Sequence, residues 1–451
     1  MTHKIILSIL FLFPKYLYSG QQSSYEFSYL YVIPFIGILL SIALFPLINE
    51  HFWHNNFGKI SAFWALLFSI PFMMNAGISY SMYYFAHAIF LEYIPFIVLL
   101  LALFTISGGI LIKGDFVGTP KFNLILLFVG TSLASWMGTT GAAMLLIRPL
   151  IRANKWRKEK THIIIFFIFL VANIGGSLTP LGDPPLFIGF LKGVDFFWTT
   201  KYMLMPMIFV SIFVLVIFYF VDNYFFKKET NEMPDSNNSN FTIDGKINFI
   251  FLLVVIISVI LSGFYKDNLG YISIFDNKIR ISFLLRDMML FLMAFISYKI
   301  TSFDLRIKNG FTWFPIQEVA KLFAGIFITV IPALALLSES QESFSSLTSS
   351  MYFWLTGILS SFLDNAPTYL VFFTSTGLSP NELMLSVDLL LAISSGAVFM
   401  GAMTYIGNAP NFMVRAIAEE NEVKMPGFFG YMLWSFIILV PIFILYTYLW
   451  F

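Results

Sequence analysis

Apolar runs near or above 18 residues, separated by short polar breaks, set the pattern of this chain, as in IPFIVLLLALFTISGGILI (94–112) and FFGYMLWSFIILVPIFILYTYLWF (428–451). Runs of that length match helices crossing a hydrocarbon core of about 30 Å. The alternation of short segments that marks a membrane barrel is absent. The pattern predicts spans at about 29–48, 59–76 and 91–112, then an interrupted stretch at 121–151, a second at 161–190 and a span at 202–226. After a polar segment at 227–246 the order recurs: spans at about 247–265, 282–299 and 316–337, interrupted stretches at 347–377 and 384–414, and a span at 427–450.

The interruptions repeat. GSLTPLGDPPLF (176–187) set over GAMTYIGNAPNF (401–412) matches Gly176/Gly401, Thr179/Thr404, Gly182/Gly407, Pro185/Pro410 and Phe187/Phe412, all at an offset of 225. The same offset lays WMGTTGAAMLL (136–146) over SFLDNAPTYLV (361–371), pairing Thr139 with Asp364 and Thr140 with Asn365. Here identity is slight; the shared feature is a short polar midpoint inside a long apolar stretch. Two arms too short to cross separately form a re-entrant hairpin with its polar tip near mid-membrane. Gly- and Pro-rich breaks in the following stretches predict broken helices.

Loop charge orients the two copies. RANKWRKEK (152–160) carries five basic residues and one acidic, so it is cytoplasmic. SESQESFSSLTSS (338–350), which precedes the second hairpin, has two glutamates and no Lys or Arg, so it is external. The hairpins therefore enter from opposite faces. The expected fold is an all-α polytopic membrane protein of two inverted repeats, 25–226 and 247–451, joined by a flexible cytoplasmic linker at 227–246. Inverted repeats with broken helices point to a secondary transporter. Residues 1–24, with a basic start and about ten apolar residues before Lys15, are expected to be a signal peptide or N-terminal anchor.

Composition narrows the function. The chain is 58% hydrophobic and 11% charged, against roughly 25% charged in soluble domains. The net charge of +1 argues for no partner by itself; with no nucleic-acid-type basic patch, the expected partners are the lipid bilayer, a small inorganic cation and the proton. Absence of cysteine removes disulfides, thiolate metal sites and cysteine nucleophiles. No nucleophile–base or metal constellation suggests an enzyme, no cofactor is expected, and no polar segment is long enough for a sensor domain. The expected location is the cell (inner) membrane, as a multi-pass protein.

A broken helix frees carbonyls that suit small cations and N–H groups that suit anions. Asn173, Ser177, Thr179, Thr404, Asn408 and Asn411 add neutral oxygens, and Asp183 and Asp364 add charge. An intramembrane carboxylate is a functional candidate by default. Asp183 and Asp364 can bind Na⁺ when ionised and take up protons when it leaves; each can also cap the helix that follows it. Arg148 is expected to reach the cytoplasmic face, and Glu92 and Glu318 to lie at span ends as candidate proton carriers. The five histidines sit in loops or at span ends without metal spacing.

FLDNAPT (362–368), GGSLTPLGDPP (175–185) and GAMTYIGNAPN (401–411) resemble the hairpin and broken-helix motifs of the ion transporter superfamily. The match is closest to the NhaD-type sodium/proton antiporters, whose close relatives are labelled citrate transporters. The resemblance covers the chain after residue 25. It implies a homodimer, each protomer with a scaffold and a moving transport part in an elevator-like motion. It places Thr139, Thr140, Asn173, Thr179 and Asp183 in one half-site, and Asp364, Asn365, Thr404, Asn408 and Asn411 in the other. The dicarboxylate branch carries Ser-Asn-Thr at both hairpin tips; here the tips read Gly138-Thr139-Thr140 and Asp364-Asn365-Ala366. A carboxylate at a tip repels a dicarboxylate. The expected function is Na⁺/H⁺ antiport. The alternative is Na⁺- or H⁺-coupled transport of an organic anion or an arsenite-type oxyacid.

Overall fold

The apolar runs expected to cross the bilayer are helical in the computed structural model, except that the one expected over 91–112 leaves its helix after Ser107; the structure describes residues 25–234, 241–265, 268–340, 344 and 346–451. The leader or anchor expected over 1–24 lies outside these residues. Among the described residues, nine helices are long and apolar enough to span.

The first repeat begins with α1 (Ile33–Ile48), α2 (Glu50–Ala76) and α3 (Ile78–Ser107). Helix α2 starts well before its apolar run, because Asn49 accepts from the Phe52 N–H at 2.9 Å and so caps the polar stretch EHFWHNNFGK into the helix. Helix α3 also starts early and passes through a π turn at His87–Tyr93. Its Tyr-, His- and Ala-containing first half is too weakly apolar to be read as membrane-spanning from sequence alone. Then come hairpin arms α4 (Pro120–Met137) and α5 (Thr139–Ala153), the broken helix α6 (Thr161–Leu170) and α7 (Pro184–Lys192), and α8 (Phe196–Lys227).

The second repeat has α9 (Ile247–Phe264), α10 (Ile281–Ile300), a short α11 (Phe303–Lys308) and α12 (Phe314–Glu339). Hairpin arms α13 (Ser349–Phe362) and α14 (Asn365–Ser375) follow. A short α15 (Pro380–Leu385) leads to the second broken helix, α16 (Val387–Met400) and α17 (Ala409–Glu420), and the chain ends on α18 (Phe428–Trp450). At about 1.5 Å per residue, α5, α13 and α14 reach only about 16–23 Å, short of the hydrocarbon thickness. Helix α4, with 18 residues, is longer than expected for such an arm.

Two antiparallel ribbons complete the fold. β1 (Leu111–Lys113) pairs with β2 (Thr242–Asp244), so part of the inter-repeat linker is anchored rather than flexible. β3 (Tyr271–Ile274) pairs with β4 (Asn277–Arg280) between α9 and α10.

The spanning helices of the two repeats exchange partners. Helix α2 packs on α12 and α10 packs on α3, so the second span of each repeat lies against the third span of the other. The indole N–H of Trp53 donates to Glu318 at 3.0 Å, and the Ser61 hydroxyl to the Lys321 carbonyl at 2.7 Å. Arg306 and Asn309, on and just after α11, donate to the carbonyls of Thr105 (2.7 Å), Gly108 (3.2 Å) and Ile110 (3.0 Å). They satisfy the C-terminal carbonyls of α3 that no later turn can.

The base of the first hairpin is locked by buried charge. Asp222 on α8 accepts from Arg157 at 2.6 Å, lies 2.8 Å from His162 on α6, and accepts from Asn123 on α4 at 3.0 Å. The paired charges join three elements and the loop before α6.

Candidate functional site

The two broken helices run antiparallel. The Thr161 hydroxyl, at the start of α6, donates to the carbonyl of Lys424 just beyond α17, and α7 packs on α16. Their breaks thus meet. Both breaks are held open by the same device, a glycine carbonyl pressed on a second glycine. A Cβ on Gly182 would collide with the Gly176 carbonyl oxygen, and one on Gly407 would lie 2.6 Å from that of Gly401. The Thr179 hydroxyl donates to the Ser135 carbonyl and accepts from Leu181 N–H at 3.2 Å. In the other copy Thr404 does the same with Ser361 and Ile406 (3.2 Å).

These equivalences shift the hairpin register. The break motifs match at an offset of 225, but the hairpins match at 226: Gly138 corresponds to Asp364 as the residue preceding the second arm, and Thr139 to Asn365 as its first residue. The sequence pairing of Thr139 with Asp364 is therefore one residue out. Gly138 has φ +79°, a conformation that disfavours any side chain, and a Cβ there would press on Leu103 at 3.3 Å. Asp364 has φ −60° and suffers no such restriction. Only the second tip can carry a carboxylate at this position.

Asp183 is the focus. It precedes α7 but makes no capping bond; the sequence alternative of a helix cap does not hold for it. Its Oδ1 accepts from Thr139 and from Asn408, each at 3.0 Å, and its Oδ2 accepts from Asn365 at 2.6 Å. Symmetry-related Thr139 and Asn365, from opposite hairpin tips, thus converge on one carboxylate. Asp183 is buried from solvent, and the Asn365 Oδ1 beside it has no hydrogen-bond partner. Asp364 does cap its helix, accepting from Ala366 N–H at 3.0 Å. It remains half-buried and lines the same cavity as Asp183.

The other candidates build the walls. Asn173 donates to Asn411 at 2.7 Å and accepts from Asn408 at 3.2 Å; Asn411 donates to the carbonyls of Gly401 (2.8 Å) and Thr404 (2.9 Å). Ser177 donates to the Ile174 carbonyl at 2.8 Å. The cavity is lined by Thr139, Thr140, Asp183, Asp364 and Asn408, but not by Asn173, Ser177, Thr179, Asn365, Thr404 or Asn411. Ser135 and Ser361, absent from the sequence candidates, fix the tips to the breaks. Ser135 donates to the Gly175 carbonyl and Ser361 to the Met400 carbonyl (3.0 Å). Serine is too common in membrane helices for either to be singled out beforehand.

The cavity, about 450 Å³, separates these elements from α1, α2, α3 and α12. Besides the two aspartates it is lined by Glu318, Glu420 and Arg148. Arg148 does not simply reach the surface: its Nη2 sits 3.4 Å from the Gly310 carbonyl while Nη1 has no partner. Four helix N-termini, those of α5, α7, α14 and α17, begin at Gly138, Asp183, Asp364 and Asn408, so their positive ends meet at the site.

Paired short-armed hairpins, antiparallel broken helices and a charged cavity among spanning helices define a multi-pass membrane transporter. The chain belongs to the family described as "putative citrate transport", which it matches over residues 24–451. The match shows this wider transporter kind and does not single out the sodium/proton antiporter branch. No curated protein matches the chain.

Proposed function

We propose that the protein exchanges Na⁺ for protons through the Asp183–Asp364 site. The observation that carries this reading is the charge of the cavity: Asp183, Asp364, Glu318 and Glu420 face Arg148 alone among the described lysines and arginines. The converging helix N-termini stabilise the ionised aspartates. Asp183, Asp364 and the hydroxyls of Thr139 and Thr140 supply hard oxygen ligands of the type alkali cations take, and Asn365 holds Asp183 from behind the cavity wall. Asn408 orients Asp183. Asn173, Thr179, Thr404 and Asn411 keep the breaks open around it, while the Ser177 hydroxyl serves only the Ile174 carbonyl. When the cation leaves, the same carboxylates take up protons, and exclusive occupancy by one or the other gives antiport. No cofactor enters this scheme. The moving part would be the hairpins with the broken helices, and the scaffold the spans that exchange partners; a homodimer and a cytoplasmic-membrane location complete the proposal.

The family's description and the unpartnered Nη1 of Arg148 favour a second reading, cation-coupled uptake of citrate or a related oxyanion. Helix N-termini also suit anions. Vesicles loaded with a pH-sensitive dye separate the two. Antiport predicts that Na⁺ or Li⁺ dissipates an imposed pH gradient in the wild type, with loss in Asp183→Asn and Asp364→Asn. No cation response together with labelled-citrate uptake would replace antiport by the second reading. Full cation-driven activity in both variants would remove the site assignment.

A further inference from the structure

The cavity reaches Arg148, Gly310 and Glu420 at one end, next to the basic segments 152–160 and 306–308 that mark the cytoplasmic face. The far end of the same interface is shut by charge. Lys192, in the last turn of α7, forms an ion pair with Glu92 on α3. One partner thus sits on the elements that carry the site and the other on the surrounding spans. The Glu92 side chain is 9% exposed and that of Lys192 26%, so the contact is partly shielded from water.

The backbone is shaped for this contact. Glu92 lies in the π turn His87–Tyr93, and His87 is five residues before it. An α-helix, at 3.6 residues per turn, sends positions five apart to different faces, whereas the i→i+5 winding of a π turn brings them together. His87 Nε2 accordingly lies 3.7 Å from Glu92, while its Nδ1 is 3.1 Å from the Asn277 side chain on β4. Asn277 in turn donates to the Tyr83 carbonyl at 3.0 Å. Ribbon, π turn and α7 are tied in one chain of polar contacts at the end opposite the opening.

We propose that the Glu92–Lys192 pair is an outer latch, which holds the cytoplasm-open arrangement and releases when the site turns outward. The inference rests on the transporter reading, because alternating access requires the closed end of this interface to open.

The chain has no cysteine, so one introduced thiol reports without background. Ala409, exposed in the cavity beside Asn408, is the reporter position. Ala409→Cys in the full-length protein is labelled with a membrane-impermeant maleimide in right-side-out and inside-out vesicles. Adding Glu92→Gln or Lys192→Gln is expected to raise the outside-to-inside labelling ratio about fivefold, the population shift that ~1 kcal/mol produces. The exchanged pair, Glu92→Lys with Lys192→Glu, should bring the ratio back toward that of the reporter alone. An unchanged ratio in single variants that remain monodisperse overturns the latch, as does an exchanged pair no different from the singles. Shifted labelling without cation-driven proton movement or citrate uptake would instead remove the proposed cargoes and leave the latch, which needs only a site that turns between the two faces.

Discussion

At the scale of single residues, Asp183 is defined by its donors. Thr139, Asn365 and Asn408 come from three separate elements, and each hydrogen bond to a charged group contributes about 1.5–3 kcal/mol. Asn365→Ala or Asn408→Ala is therefore expected to weaken apparent Na⁺ affinity by about tenfold or more, read as the Na⁺ concentration giving half-maximal proton movement. Ser177→Ala should leave that concentration unchanged, since its hydroxyl serves only the Ile174 carbonyl; a comparable loss there would mean that the wall and the site are not separable. Protons competing for the same carboxylates set a sign as well. As pH falls into the range where the carboxylates protonate, apparent Na⁺ affinity must fall, approaching about tenfold per pH unit for each competing proton. A pH-independent affinity would exclude shared occupancy. Both aspartates were visible in the sequence because a carboxylate inside an apolar run is costly to bury and stands out against its neighbours. Their unequal settings were not: one caps a helix and the other does not, which depends on backbone geometry that composition does not encode.

At the scale of elements, the breaks are local structures and the hairpins are not. Gly176, Gly182, Gly401 and Gly407 announce the breaks because a close backbone approach admits no side chain, and any alignment recovers them. Gly182→Ala should cost folded protein, seen as lost monodispersity or a lowered melting temperature in detergent. Gly427→Ala, which meets nothing within 4 Å, is the control expected to behave as wild type. The hairpins share almost no identity, so their register slipped by one residue in the ungapped alignment. What fixes it is Ser135 and Ser361 reaching across to the breaks, a tertiary constraint. The Asp222 cluster is equally invisible in sequence, because Arg157 and His162 lie about sixty residues before Asp222. Asp222→Asn leaves a buried guanidinium without its counter-charge, so a loss of about 3–5 kcal/mol is expected. Thermal unfolding measures it, and an unchanged melting temperature would deny the cluster its stabilising role.

At the scale of the whole molecule, the apolar spans and the central breaks were legible from hydropathy and from glycine and proline placement. The pairing of α2 with α12 and of α10 with α3 was not, because lipid-facing and helix-facing apolar residues look alike in a chain that is 58% hydrophobic. The polar contacts that mark the exchange, Trp53 to Glu318 and Arg306 to Thr105, join residues more than 200 positions apart.

That exchange bears on how the protein is made. When the ribosome has released α2, its partner α12 is still some 240 residues from synthesis, and Trp53 and Ser61 have no acceptors until it arrives. The first half must therefore wait in the bilayer as an open shell, exposed to quality-control proteases, until the second half closes it. Two separately encoded halves, cut within the polar segment 227–246, should each be degraded when produced alone and should accumulate when produced together.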